Sequence, residues 1–299
     1  RFIYEVYSMI IEWRKFIKNK VTYLSVGVLL LMVGLAVWTG FNMFQEEYDL
    51  SQTLDKGYPD SMALVSPHLF WVGHSDAFFS TFYYFIFPLV VGLPLVDSIH
   101  KEMRSGYLNY ILVRHHYRGY FVKKLTFTFI ISFALFVIPL VIGLILMNIL
   151  TGTWDYSGFT AAYNKLINGT AVLSDDTGLS QKREMFSDLL QISPYAYMLA
   201  YYIIGGLYAG AYSCFGLASS FFIRNRYLIL FMPLCLYLGG WLSLSILQLL
   251  AWDPFNFLDP RQPVTRINLL PIVIDFVILM ALSISLYTFG VRQNRDLLS

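Results

Sequence analysis

The chain has 299 residues, of which 57% are hydrophobic and only 13% are charged, and its mean hydropathy is +0.58. Soluble domains carry about 25% charged residues, so this composition excludes an ordinary soluble domain. The net charge of +2 gives no basis for a nucleic-acid partner, and we expect none. Both cysteines, Cys214 and Cys235, lie inside apolar runs, so no disulfide framework is expected.

Residues 1–20 are too basic to cross a membrane, with four lysines and arginines between positions 14 and 20. Apolar residues recur there at steps of three and four, and they are Ile3, Val6, Tyr7, Ile10, Trp13 and Ile17. One apolar stripe beside a charged face is typical of a helix that lies in the membrane interface. We therefore predict an amphipathic elbow helix over residues 1–20, and a plain membrane anchor is its simplest role.

Six apolar runs follow, and each is long enough to cross a bilayer as a helix. The predicted spans are residues 21–41, 78–96, 125–149, 195–222, 227–250 and 269–289. The loops between them are residues 42–77, 97–124, 150–194 and 251–268. The predicted fold is an all-α polytopic membrane protein, in which residues 21–299 form one six-helix transmembrane domain.

The basic residues show which loops face the cytoplasm. Of the 21 lysines and arginines, 15 lie in the N-terminal helix, the loop 97–124, the turn before residue 227 and the C-terminal tail. The other six lie in the loops on the opposite side. Short basic loops remain in the cytoplasm, so we predict a multi-pass plasma-membrane protein with both termini cytoplasmic. The loops 42–77, 150–194 and 251–268 are then external.

The loop 97–124 begins with a helical pattern, because its apolar residues recur every four positions. The stripe consists of Ile99, Met103, Tyr107 and Ile111. Asp97 or Ser98 precedes it and is suited to cap the start of a helix. We predict a short amphipathic helix along the membrane, a turn near His115–His116, and a helix that returns into the bilayer.

The same loop carries a pattern of an acid, a glycine four residues later, and then basic and aromatic positions. Its members are Glu102, Gly106, Arg114, Arg118, Tyr120 and Lys123. This pattern resembles the first cytoplasmic loop of ABC exporter permeases, the class of bacterial type-2 exporters that is related to eukaryotic G-type half-transporters. The order of a basic amphipathic helix and six spans is similar to that class over nearly the whole chain. A solvated juxtamembrane loop with basic anchors would show the same local charges.

The resemblance implies a function and partners. It implies that loop 97–124 is a coupling helix docked on a separate ATPase, that the elbow helix touches this ATPase, and that a second permease copy or a related permease completes the pathway. It implies coupling roles for Glu102, Gly106, Arg114 and Arg118. ATP and Mg would be bound by the partner, because no Gly-x-x-x-x-Gly-Lys-Ser/Thr phosphate loop occurs in this chain. We therefore predict that the chain has no catalytic residues and no cofactor of its own.

Two further groups of residues suggest sites. His68, His74 and Asp76 lie close together in sequence and could bind a metal, but interfacial polar residues are the simpler interpretation, and we predict no metal. Asp275 is the one charged residue well inside a span, and such acids are often functional, although a hydrogen bond to a tyrosine would also explain it.

The aromatic content of the second span bears on the cargo. With Asp275, the residues of a substrate pathway are predicted to be Phe82, Tyr83 and Phe85. An apolar lining edged with hydroxyls favours an amphipathic or hydrophobic cargo, such as a peptide or a lipid-like compound. The alternatives are an ATPase-independent secondary transporter and a non-transporting immunity or sensor protein of the same fold. A membrane-embedded enzyme would need catalytic groups clustered at one depth, and the sequence shows none.

Overall fold

The computed structural model describes residues 2–54, 59–108, 117–172, 185–261 and 269–295, and all regular structure within these ranges is helical. The longer helices are α1 (Phe2–Lys18), α2 (Lys20–Leu54), α4 (Phe78–Gly92), α6 (Tyr117–Thr151), α9 (Pro194–Ser219), α10 (Arg226–Ile246) and α12 (Leu269–Arg295). Shorter ones are α3 (Pro59–Leu64), α5 (Ser98–Arg104), α7 (Ser157–Ile167), α8 (Ser187–Ile192) and α11 (Pro254–Leu258), with 3₁₀ turns at Pro67–Phe70 and Leu250–Trp252.

Five helices of the described ranges are long and apolar enough to span a membrane: α2, α6, α9, α10 and α12. The chain is therefore a polytopic helical membrane protein. Several helices extend beyond the predicted spans. Helix α2 runs on to Leu54, and α6 begins at Tyr117, inside the predicted loop 97–124. Helical hydrogen bonding does not stop where the apolar run stops, so hydropathy alone misplaces these ends.

The predicted second span, residues 78–96, needs a correction. Its regular helix α4 has 15 residues, which is about 22 Å and short of the ~30 Å hydrocarbon layer. The regular helix ends at Gly92, and residues 93–97 continue as turns. Pro94 explains this ending, because proline has no N–H to donate to the carbonyl of Val90.

Neighbouring hydroxyls satisfy the carbonyls that the two prolines of this segment leave free. The Ser25 hydroxyl donates to the Val90 carbonyl at 2.6 Å. The Tyr237 hydroxyl donates to the Tyr84 carbonyl at 3.1 Å, four residues before Pro88. A backbone carbonyl without a partner is costly in an apolar environment, so these two bonds stabilise the bend and fix α4 against α2 and α10.

Helix α9 lies at the centre of the bundle, almost wholly buried, and packs against α6, α12, α10 and α4. Its glycines allow a close approach to the phenylalanines of α6. A Cβ at Gly206 would lie 2.7 Å from the Phe133 ring, and one at Gly210 would lie 2.7 Å from the Phe129 ring. The Gly206-x-x-x-Gly210 motif therefore serves packing within the chain.

The C-terminal part of α2, helices α3, α7 and α8, and the segments 65–77 and 152–156 form a small lobe at one end of the bundle, which we call the lobe end. Within it, Lys165 of α7 pairs with Asp60 of α3 at 2.6 Å. The buried Trp71 donates from Nε1 to Asn148 Oδ1 of α6 at 3.0 Å, and Asn148 donates to the Tyr195 hydroxyl of α9 at 2.8 Å. The bond from Trp71 to Asn148 attaches the lobe to the bundle.

Candidate functional site

The end of the bundle opposite the lobe holds α5, the short helix that follows α4. Its apolar stripe packs as the four-residue spacing predicts. Ile99 is fully buried in a cluster with Phe121 and Tyr287, and Met103 and Tyr107 pack against the same cluster. Helix α5 therefore lies against α6 and α12 by its apolar side, and its polar side chains are left for other contacts.

A group of buried charges joins α5 to α1 and α6. We call Glu12, Lys15, Glu102, Tyr120 and Lys124 the charge cluster. Glu102 Oε1 accepts hydrogen bonds from Lys15 Nζ at 2.8 Å and from Lys124 Nζ at 2.6 Å, while its Oε2 accepts from the Tyr120 hydroxyl at 2.6 Å. Glu12 Oε1 lies 2.7 Å from Lys15 Nζ, and its Oε2 lies 3.2 Å from Lys124 Nζ. Two carboxylates and two ammonium groups thus balance each other.

Burial makes these pairings strong. The Lys124 side chain is 2% exposed and that of Glu102 is 8% exposed. Burial by itself would raise the pKa of the Glu102 carboxyl, but the adjacent Lys124 and Lys15 outweigh it and hold that pKa below its ordinary value. Burial would likewise lower the pKa of Lys15, yet Glu102 and Glu12 raise it above its ordinary value. Glu102 and Lys15 are therefore held in the charged form, since an unpaired buried charge is strongly destabilising.

A second tie connects the start of α5 to α10. Asp97 occupies the predicted cap position, but its fully buried carboxylate makes no capping bond. Its Oδ2 instead accepts from Arg226 Nε at 2.6 Å, and its Oδ1 lies 3.0 Å from Lys101 Nζ. Helix α5 is consequently fixed by ionic contacts to α1, α6 and α10.

The end of α5 turns sharply at Gly106. Its φ of +70° is left-handed, a conformation that glycine adopts without the penalty of a Cβ. The N–H of Gly106 donates to the Met103 carbonyl at 3.3 Å, which closes the last turn. Arg104, Ser105 and Gly106 are exposed there, so they form the tip of α5.

The four predicted coupling residues lie in different environments. Glu102 is inside the charge cluster, and Gly106 is at the tip of α5. Arg114 and the predicted turn near His115–His116 lie outside the described residues, and Arg118 falls in the first turn of α6, where its side chain is outside the description too. The coupling roles of these four residues stay a prediction.

The sequence interpretation missed three members of the cluster: Glu12, Lys15 and Lys124. A usable signal was present, because Glu12 and Lys15 are spaced i, i+3 and Tyr120 and Lys124 are spaced i, i+4, so each pair shares one face of a helix. Of the predicted apolar stripe of α1, Ile10, Trp13 and Ile17 are each more than 40% exposed, and the side chains of Ile3, Val6 and Tyr7 lie outside the described residues.

The predicted pathway residues differ in environment. Tyr83 is fully buried, and its hydroxyl donates to the Phe136 carbonyl at 2.8 Å. Phe82 and Phe85 are half-buried, and with Phe78 they form a stacked row along α4 with ring centroids 5.5 and 6.1 Å apart. The row, unlike Tyr83, is therefore available to a ligand or to another subunit.

Asp275 lies half-buried in α12 and interacts with the Tyr208 hydroxyl. That hydroxyl donates its one proton to the Ile272 carbonyl at 2.7 Å. Asp275 thus lies beside a tyrosine whose proton is directed to a backbone carbonyl. A role in the pathway stays a prediction.

The three residues considered for a metal have separate partners. His68 lies 2.5 Å from Ser66 Oγ through its Nδ1 and packs edge-on against Trp71. Burial lowers the pKa of His68 to about 4, so its ring is neutral at pH 7. His74 packs against Tyr197, and Asp76 pairs with Arg261 at 3.3 Å. No group of three His, Cys, Asp or Glu side chains suited to a metal ion occurs among the described residues.

Comparison of the chain with protein-family models, with curated proteins and with solved structures gives no match. The function is therefore argued from the site alone. What the site shows is a short helix, α5, whose position relative to α1, α6 and α10 is fixed by buried charge.

Proposed function

We propose that this chain is the membrane-spanning permease subunit of an ATP-driven ABC exporter, with the six-helix fold of the type-2 class. The observation that carries the proposal is the charge cluster. Separating a buried ion pair typically costs several kcal/mol, so α5 moves together with α1 and α6. A displacement of α5 is thereby passed into the long helix α6, which runs to the lobe end of the bundle.

The sidedness of the chain supports this role. Fifteen of its 21 basic residues belong to the N-terminal helix, the loop 97–124, the turn before residue 227 and the C-terminal tail. This distribution supports a cytoplasmic position for the charge-cluster end and both termini. The exposed apolar face of α1, with Ile10, Trp13 and Ile17, suits the membrane interface beside it. The plasma membrane is the membrane in which such an exporter acts.

The partner is a separate ATPase subunit that binds ATP and Mg. Its contact is the tip of α5, where Arg104 and Gly106 are exposed, together with the loop that contains Arg114. Glu102 itself does not contact the ATPase, because its side chain is buried and paired within the chain. In this scheme Glu102 positions the helix, and the tip binds the ATPase.

A second permease, either another copy or a related chain, completes the pathway. Helix α10 packs beside α4, and several of its apolar side chains are exposed, among them Leu228, Phe231 and Leu242. The stacked row of Phe78, Phe82 and Phe85 lies on the same α4. An apolar, aromatic surface at the seam between two permeases suits the predicted amphipathic or hydrophobic cargo.

The test is a site-specific crosslink in the native membrane. Arg104 is replaced by the photo-crosslinking residue p-benzoylphenylalanine, and Trp154, which is exposed in the lobe, is replaced in a matched control. We expect position 104, and not position 154, to form an adduct with a nucleotide-binding subunit identified by mass spectrometry. The purified complex should hydrolyse ATP.

Two outcomes would contradict the proposal. One is an adduct at position 104 that contains no ATP-binding protein. The other is cargo uptake by proteoliposomes of the isolated chain under a pH gradient without ATP, which would favour a secondary transporter and give Asp275 the leading role.

A further inference from the structure

The lobe end contains a cavity of about 370 Å³ that the proposed function does not use. Its volume falls within the range of small-molecule sites, which is roughly 300–1,000 Å³. About half of its wall is apolar, and this part includes Leu69, Phe159, Tyr163 and Leu190. These side chains come from the 3₁₀ turn before Trp71 and from α7 and α8. The cavity therefore lies at the lobe end, between the lobe helices and the adjoining end of the bundle.

One end of the cavity is polar and carries an unequal number of charges. Arg261 is the cation there, and it pairs with Asp259, to which its Nε donates at 2.9 Å. Its Nη1 also donates to Asp76 Oδ1 at 3.3 Å and to the Ser75 carbonyl at 3.2 Å. Among the residues that the structure describes, two carboxylates thus share one guanidinium group, which leaves one negative charge in excess.

The excess charge belongs to Asp76. Asp259 is 3% exposed and directly paired, whereas the Asp76 side chain is 87% exposed and shares only one of the guanidinium nitrogens. His74 lines the same end, and burial lowers its pKa to about 4, so the ring adds no positive charge at pH 7. The buried hydroxyl of Ser75, next to Asp76, has no hydrogen-bond partner within the described part of the chain.

We infer that this cavity is a binding site for an amphipathic organic cation, with the apolar body against Phe159 and Leu190 and an ammonium group directed to Asp76. The apolar wall provides affinity for the body, and the unbalanced carboxylate selects the charge of the head group. An amphipathic anion would be repelled by Asp76 at this end of the cavity, where the Arg261 guanidinium is already paired with Asp259. The inference goes beyond the proposed transport function, because it concerns a separate site. It can be tested on the chain without an ATPase.

The experiment uses the full chain in nanodiscs of phosphatidylcholine, whose zero net charge does not concentrate cations at the surface. Three probes share one apolar body and differ only in the head group: 4-phenylbutylamine, 4-phenylbutanol and 4-phenylbutyrate. Binding is measured by isothermal titration calorimetry. We expect the amine to bind about tenfold more tightly than the carboxylate, with the alcohol between them.

Two variants locate the binding. Asp76→Asn should weaken amine binding about fivefold while leaving the alcohol unaffected, because only the charge interaction is removed. The matched control is Asp188→Asn, an exposed acid of α8 that does not line the cavity, and it should bind all probes normally. Leu190→Trp should abolish binding of all three probes, because the larger ring fills the cavity.

Folding of each variant is checked by gel filtration and by its melting temperature. If Leu190→Trp does not fold, Leu64→Trp replaces it, because Leu64 lines the same cavity at a half-exposed position. Equal binding of amine and carboxylate would overturn the inference. So would undiminished amine binding by Asp76→Asn, or binding that persists in the cavity-filled variant.

Discussion

The two ends of the helical bundle use charge in different ways. At the charge-cluster end, Glu12 and Glu102 meet Lys15 and Lys124 in an equal balance, and all bonds are made within the chain. At the lobe end, Asp76 and Asp259 share one guanidinium group, that of Arg261, within the described part of the chain, and a partly apolar cavity lies beside them. Balanced buried charge fixes helices relative to one another, whereas unbalanced charge beside a cavity is available to a ligand.

The largest effect is expected from reversing one charge of the cluster. Glu102→Lys would place three ammonium groups around Glu12 in a buried site, and we expect a loss of at least about 3–5 kcal/mol in the free energy of unfolding. The measurement is SDS-induced unfolding of the purified chain. Adding Lys124→Glu restores two charges of each sign and should recover at least half of that loss. A double variant no more stable than the single one would show that the cluster is not a balanced unit.

A smaller effect is expected from protonating Glu102, because this removes its charge but keeps its side chain in place. The folded-state pKa of Glu102 lies below its ordinary value, so its ionisation adds stability that is complete above about pH 4.3–4.5 and is lost as the pH falls through the lowered pKa. Wild type should therefore lose more stability than Glu102→Gln between pH 6 and pH 3. Parallel pH profiles of the two proteins would contradict the assignment.

Replacing the glycine at the tip of α5 should have a more modest effect. Gly106→Ala places a Cβ on a left-handed residue, at about 1 kcal/mol, although no atom stands in its way. The matched control is Gly119→Ala, a helical position of α6 at which a Cβ is equally free of neighbours. SDS-induced unfolding of both variants tests this, and an equal stability of the two would argue against a left-handed turn at Gly106.

The smallest effect is expected from the exposed ion pair of the lobe. Lys165 is half-exposed, so water screens its contact with Asp60 and compensates for its removal. Lys165→Met should therefore change the stability much less than Lys124→Met, which leaves two buried carboxylates with one cation. Equal losses of stability in the two variants would contradict the proposed difference between the two ends of the bundle.

Much of the fold follows from local patterns in the sequence. Apolar run length predicts the long helices, and the four-residue spacing of Ile99, Met103 and Tyr107 predicts α5. Local patterns fail where long-range contacts decide. Glu12 and Lys124 are 112 residues apart, and nothing in one sequence shows that they meet. The same limit separates His68 from His74, which are close in sequence but pack against different aromatic residues.

The lobe cavity was not predicted from the sequence for a related reason. Its walls come from segments near residues 64–76, 159–166, 185–197 and 260–261, which are distant in sequence, and no local pattern shows that they meet. The effect of a proline is easier to locate in a sequence, because the carbonyl that it leaves free in a helix lies four residues earlier. The bonds from Ser25 and Tyr237 to Val90 and Tyr84 show that neighbouring helices supply the missing donors.

The most direct test of the central claim is ATP hydrolysis by the purified complex of permease and ATPase, measured with a panel of hydrophobic peptides, lipids, sugars and ions. The claim is that the charge cluster carries movement of α5 into the bundle. We predict that Glu102→Gln lowers the ratio of stimulated to unstimulated hydrolysis about five- to tenfold, in line with typical coupling free energies, while Lys165→Met leaves it unchanged. Full stimulation in Glu102→Gln would contradict the account.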